Sequence, residues 1–156
     1  VAVMKDARIV QVGTPEEILN SPANDYIENF VRDIDRTKVL QAKNVMFKPN
    51  AIVSLKDGPQ VAVKEMKANG ISSVFVVDSE RKLKGIVTID DAIEAIKQKK
   101  LLTDIIKTDF HTTAPAASVR DLLPIASTTK YPIAVVDTAG KLLGIIVRVS
   151  VLSALI

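Results

Sequence analysis

Cysteine is absent from the 156 residues. That excludes a disulfide framework, a thiolate zinc site and a cysteine nucleophile, and it suits a reducing compartment. Aromatic side chains are few, four Phe and two Tyr with no Trp. None of the familiar nucleic-acid reading motifs is present, so no nucleic-acid partner is expected. There is a single histidine, His111, beside Asp109. A lone histidine without cysteine makes no zinc site, and a triad needs an aligned nucleophile, so we expect neither a metal nor a catalytic residue. No apolar run approaches the roughly 18 residues of a membrane helix. No basic-then-apolar opening marks a signal peptide. The chain opens on Val1 rather than methionine, which leads us to expect a piece of something longer.

What is present reads as globular: 47% apolar and 25% charged residues. The length suits one ordinary domain or two small ones. A unit of about 60 residues is marginal alone, so two such units must pack on each other. Charge is uneven. Residues 1–35 carry three basic and seven acidic side chains, and residues 36–156 carry 18 basic and 11 acidic. A basic segment attracts phosphates or anionic lipid, or is simply a solvated surface.

Internal repetition is the strongest signal. Residues 74–88 read VFVVDSERKLKGIVT and residues 133–147 read IAVVDTAGKLLGIIV, with seven of 15 positions identical at an offset of 59. Each copy is an apolar β-branched run, a polar turn and a second apolar run, which predicts a hairpin of two buried strands. Helices are expected to follow at 88–100 and 149–156. Upstream, residues 51–55 predict a short strand and 60–69 a helix stopped by Gly70. In the second copy, 110–113 predict the strand and 118–127 the helix, capped by Ser118 with Asp121 three residues on. Pro124 lies inside that helix, so a kink or an early end is expected there. Each unit is β-α-β-β-α. The hairpin strands are apolar on both faces, so helices must cover one face and a partner layer the other.

Residues 1–38 stand outside the repeat. Residues 1–4 and 8–12 pair as a hairpin around Lys5-Asp6-Ala7. Thr14-Pro15-Glu16-Glu17 starts a helix with a cap, a first-turn proline and acids near the positive helix end. Pro22 starts a second helix with Tyr26, Ile27, Phe30, Val31 and Ile34 on one side. Residues 35–43 read as a connector.

The VVD strand, the Lys-Leu turn and the glycine of the last strand, twice in β-α-β-β-α order, resemble the cystathionine-β-synthase (CBS) domain. The resemblance covers about three-quarters of the chain. It implies an α/β (α+β) fold in which two CBS domains, 39–100 and 101–156, pack as a pseudo-symmetric pair. The resemblance also implies a regulatory module that binds adenine nucleotides or related ligands. The opening VAVMKDARIVQVGTPEEIL resembles the last strands and helix of an ABC-transporter ATPase domain. With PANDYIENFVRDIDRTKVL and a CBS pair after it, the chain is similar to the ATPase subunit of osmoprotectant importers of the glycine betaine type. Residues 1–38 are then the end of the ATPase domain and a linker. Ala7 departs from the glycine usual in that turn. No P-loop GxxxxGK[ST] and no signature loop occur in the sequence, so this stretch is not expected to hydrolyse ATP. The implied setting is cytoplasmic, at the inner face of the membrane. The implied partners are a transporter membrane subunit and a second copy of the chain, docked through the CBS domains.

The candidate ligand motif is Gly85-Ile86-Val87-Thr88-Ile89-Asp90-Asp91. Thr88 sits where strand turns into helix, and a helix start favours an anion. By the resemblance, Thr88 contacts phosphate, Asp91 contacts ribose, and adenine lies between Ile52 and Ser73-Val74. The ligand is AMP, ADP, ATP or cyclic di-AMP. Thr88-x-x-Asp91 is equally an ordinary capping box worth about 0.5–2 kcal/mol, which needs no ligand. The offset maps Thr88 to Val147 and Asp91 to Ser150, so both polar groups are missing from the second unit. There, Tyr131 can stack on a base and Arg148 can pair with phosphate. In some osmolyte-importer relatives the second CBS domains of two subunits hold cyclic di-AMP between them, and Tyr131, Ile145 and Arg148 are the residues suited to that role here. Lys97, Lys99 and Lys100 either complement the helix C-terminus or touch anionic lipid at low salt, which would make a sensor of ionic strength.

Overall fold

The computed structural model describes residues 1–156. The first strands, β1 (Ala2–Lys5) and β2 (Arg8–Val12), form an antiparallel hairpin. Its turn places Asp6 and Ala7 at φ 51° and 61°, the left-handed region that an alanine tolerates poorly. Helix α1 (Pro15–Asn20) starts with a complete capping box between Thr14 and Glu17. Helix α2 (Asp25–Val31) begins three residues after Pro22. The start moves because the Asn24 side chain accepts the Ile27 N–H and so provides the cap, while the Ala23 N–H is held by Gln11 Oε1. The predicted apolar side of α2 also divides. Ile27 and Val31 are buried with Val3, Ile18 and Leu19, whereas Phe30 and Ile34 are exposed.

The first repeat is β3 (Ile52–Ser54), α5 (Pro59–Asn69), β4 (Ser73–Val77), β5 (Leu83–Thr88) and α6 (Ile89–Lys97). The second is β6 (Thr112–Thr113), α7 (Val119–Thr128), β7 (Ile133–Val136), β8 (Leu142–Ile146) and α8 (Arg148–Ser153). Each makes a three-stranded sheet with one parallel and one antiparallel pairing, in the orders β3-β4-β5 and β6-β7-β8. The register slips at the same place in both hairpins, after Val76 and after Val135. The closing helices α6 and α8 end at Lys97 and Ser153, earlier than the expected 100 and 156. Lys99 turns left-handed at φ 56° and stops α6. Helix α7 runs through Pro124 instead of ending there. The carbonyl that loses its donor belongs to exposed Arg120, so the lost bond leaves no buried acceptor, and burial of Val119, Leu122 and Ala126 holds the helix down.

Each sheet carries its helices on one face and the other sheet on the opposite face. The helix-side core of the first unit is built on Val53, Met66, Val76 and Val87. That of the second is built on Leu122, Ile133, Val135 and Ile146. Phe75, Val77, Ile86, Tyr131, Ala134 and Leu142 fill the space between the sheets. The turns cross-link with two-fold regularity: Leu83 N–H donates to Gly140 O, and Leu142 N–H to Arg81 O, at 2.9 and 3.1 Å.

The units exchange their lead-in segments. Phe47, ahead of the first repeat, makes a two-bond bridge with Ile145 of the second (3.1 and 2.9 Å). Lys107, ahead of the second, does the same with Ile86 of the first (2.9 and 2.8 Å). Residues 35–43, read as a connector, hold one short helix, α3 (Arg36–Val39), and the start of a second, α4 (Ala42–Val45). Leu40 and Ala42 are buried in the second unit's core, while Leu102 of the following lead-in is buried in the first's.

Candidate functional site

The repeated glycines have a structural reason. A Cβ on Gly85 would overlap Ile106 Cγ2 and stand 2.8 Å from Lys107 O. On Gly144 it would stand 2.8 Å from Met46 Sδ and 3.1 Å from Phe47 O. Each glycine lets the other unit's lead-in cross the sheet edge, and Gly85 faces that segment.

A cleft of about 540 Å³ opens beside the crossing of Phe47 and Ile145. Ser72, Ser73 and Val74 at the start of β4 form one wall, with Asn50 and Ala51 beside them. Ile145, Val147 and Lys130 come from the second unit. Lys130 is the only charged side chain in the lining, and no carboxylate faces the space. The backbone ends of β4 offer edge groups, Ile145 and Phe75 offer apolar surface, and Lys130 offers a cation. That combination suits a flat heteroaromatic ring carrying an anionic group.

A second cleft, of about 470 Å³, lies between the N-terminal segment and the second unit. Its one cation is already engaged. The Arg36 guanidinium donates to the carbonyls of Ala154 (3.1 Å) and Leu19 (3.5 Å) and to the Asn20 side chain.

The residues singled out in the sequence regroup. Ser73, Val74 and Ile145 line the open cleft together. Ile52 does not line it; it packs in the inter-sheet layer, and its neighbour Ala51 takes the wall position. Thr88 and Asp91 sit outside the cleft. Thr88 Oγ1 accepts the Asp91 N–H at 3.3 Å, which is half of a capping box. The reciprocal half is missing because Asp91 Oδ2 pairs with Lys107 Nζ at 3.2 Å. That carboxylate, by hydrogen bond and charge, raises the Lys107 ammonium above its ordinary value, with Tyr131 and Asp109 acting in the same direction. Tyr131 is only 8% exposed, so its ring is not free to stack on a ligand as it stands. Arg148 is exposed and shares a shallow cleft of about 270 Å³ with Tyr131. Lys97, Lys99 and Lys100 are exposed at the end of α6. His111 is exposed, and its carbonyl accepts the Ala134 N–H.

Lys107, Lys130 and Asn50 were missed. The offset is 59 from the central strands onward but 60 in the lead-ins, where Lys107 takes the place of Phe47. A count allowing one inserted residue aligns Lys107 with Phe47 and Asn50 with Phe110, whereas Lys130 stands opposite Ile71 at the plain offset and carries no repeat signal.

A family model described as "CBS domain" matches residues 42–98 and 102–156. Among curated proteins, the glycine betaine/carnitine transport ATP-binding protein GbuA of Listeria monocytogenes is 45% identical over 99% of this chain and 39% of its own length. The glycine betaine transport ATP-binding protein OpuAA of Bacillus subtilis is 42% identical over 99% of this chain and 37% of its own. The chain thus spans about two-fifths of the length of these relatives. Among solved structures, Staphylococcus aureus OpuCA aligns with TM-score 0.64 and 28% identity, over 70% of this chain and 93% of that one. CBSX2 in complex with AMP aligns with TM-score 0.62 and 20% identity, over 73% and 94%. The matched residues are CBS domains rather than an ATPase catalytic domain. No helix is long and apolar enough to cross a membrane. The chain belongs to the CBS-domain family and carries two CBS domains in tandem.

Proposed function

We propose that this chain is the regulatory module of the ATP-binding subunit of an osmoprotectant importer, and that it binds an adenine nucleotide in the cleft between Ser72–Ser73–Val74 and Ile145–Val147. The observation that carries the reading is that cleft. It has backbone edge groups on one wall, apolar surface on the other, and a lysine with no competing carboxylate. The relatives' names supply the transport context, glycine betaine and carnitine among the solutes. The module's partners are then a transporter membrane subunit and a second copy of the chain, at the cytoplasmic face. Arg148 and Lys130 lie on the same side of the second unit, in the shallow cleft that adjoins Val147. They favour cyclic di-AMP within the nucleotide class, because two cations suit two phosphates. Thr88 and Asp91 enter this reading as a helix cap and a partner for Lys107.

Titration calorimetry with AMP, ADP, ATP and cyclic di-AMP tests it. We expect heat from at least one, lost in Lys130→Ala. Silence with all four, and no rise in melting temperature, rejects the ligand. A ligand-free dimerisation module has its own observation, the exposed apolar Val149 and Leu152 on α8. Sedimentation showing a dimer indifferent to nucleotide and salt supports that second reading. A dimer that loosens with salt supports ionic-strength sensing through Lys97, Lys99 and Lys100 instead.

A further inference from the structure

The pseudo-two-fold axis gives the open cleft a twin on the other side of the molecule, bounded by Thr88, the crossing of Lys107 and Ile86, and the start of β7. We propose that the twin is closed from within by Tyr131 and Phe110, so that the module takes one nucleotide per chain. This rests on the reading that the open cleft binds an adenine nucleotide.

The closure follows position by position. Counted back from the matching strand pairs Val74–Val87 and Ile133–Ile146, Tyr131 stands where Ser72 stands. Counted from the matching bridges, Phe110 stands where Asn50 stands. Ser72 and Asn50 are exposed and line the open cleft. Their counterparts are rings turned inward. Tyr131 is buried in the inter-sheet layer with Phe75 and Ile86. Phe110 and Phe75 pack edge to face at 5.3 Å between ring centroids. Two small polar residues in one half are therefore two aromatic rings in the other, and rings of that size fill a space meant for a base.

The polar groups of the twin are also satisfied internally. Thr88 Oγ1 holds the Asp91 N–H and Asp91 holds Lys107. The ion pair is half-exposed, at 43% and 38%, so it is a weak latch. The rings are the barrier. Opening the twin means removing packed aromatic area, not merely breaking a surface ion pair.

Three measurements test this. The first is calorimetric stoichiometry with AMP. We expect one AMP per chain in the native protein, two in Tyr131→Ser/Phe110→Asn, and at least a tenfold loss of affinity in Ser72→Tyr, which closes the open cleft as its twin is closed. Two AMP per native chain overturns the inference, and so does an unchanged count in the folded double variant. No binding by the native protein but one AMP bound by the double variant rejects the nucleotide reading of the open cleft and upholds the closed twin. The second is a melt of each variant, which shows whether it folds. The third needs no ligand. In a Tyr26→Phe background Tyr131 is the only tyrosine, and its fluorescence should resist acrylamide several-fold better than free tyrosine. Quenching as fast as the free amino acid overturns the closure even where the double variant does not fold.

Discussion

The two CBS units share strand order, register slip and turn cross-links, yet one side of the pair is open and the other is packed shut. Symmetry of the backbone therefore does not carry symmetry of the site. The sheets are held by apolar residues that recur at a fixed offset. The clefts are decided by a few residues at strand entrances, where nothing in the fold demands a particular size. Ser72 and Tyr131 hold the same place with opposite consequences.

The largest expected effect tests the exchange of lead-in segments. Leu40 precedes the first repeat in sequence but is 3% exposed in the core of the second. Leu40→Ala should cost about 3 kcal/mol, in the range for a buried leucine that leaves a cavity. In native-state hydrogen exchange the loss of protection should concentrate in β7, β8 and α7. Loss confined to β3, β4 and α5 would break the exchange.

Next come the two crossings. Gly85→Ala meets a branched side chain and a backbone carbonyl, while Gly144→Ala meets mainly the flexible end of Met46. We expect about 3 kcal/mol for the first and about 1 kcal/mol for the second in urea denaturation, since overpacking costs depend on how readily the neighbour yields. Equal costs would mean that the two crossings are equally rigid.

Much of this fold is legible in the sequence, and the reasons why are physical. The hairpins stand out because their strands are buried on both faces and so read as unbroken β-branched runs. Gly70 is legible as a stop because it takes the left-handed conformation, φ 64°. The exchange of lead-ins is not legible. It joins Phe47 to Ile145 through backbone groups, which leave no side-chain signature, and the partners lie far apart in the chain. Pro22 misleads for another reason: a proline suits a helix start, but Asn24 offers the side-chain acceptor that makes one. At the site, Ser73, Val74 and Ile145 belong together only because β4 and β8 come from different units. Thr88 and Asp91 look like one motif by spacing, and half a cap is what forms. Spacing along a helix says nothing of Lys107 reaching Asp91 from the other unit.

A smaller effect separates the matching turns. Arg81 and Gly140 occupy the same place and both take positive φ, 67° and 83°. Open space surrounds Gly140, so Gly140→Ala should cost about 1 kcal/mol through the backbone alone. Arg81→Gly should stabilise by about 0.5 kcal/mol, because relief of the same conformation outweighs two costs, the loss of a long 3.5 Å bond to Leu142 O and the added freedom of the unfolded chain. Opposite signs in thermal melts would confirm that the turns differ in fit and not in role.

The smallest effect belongs to the ion pair that exists on one side only. Asp91 raises the Lys107 ammonium above its ordinary 10.5. A raised lysine stabilises the folded state fully below its unfolded value, and that contribution is lost as pH climbs through the folded value. The melting temperature of the native protein should therefore exceed that of Lys107→Met by a constant small margin from neutral pH to about 10. The margin should close at higher pH. Because both side chains are partly exposed, 1 M salt should shrink it at every pH. Phe47→Leu, at the matching place on the open side, changes no charge, so its effect on melting should be flat across the same range. A margin for Lys107→Met that is equally flat would mean that Lys107 acts through its methylenes packing at the crossing, and that the charge difference between the two sides has no part in keeping the twin closed.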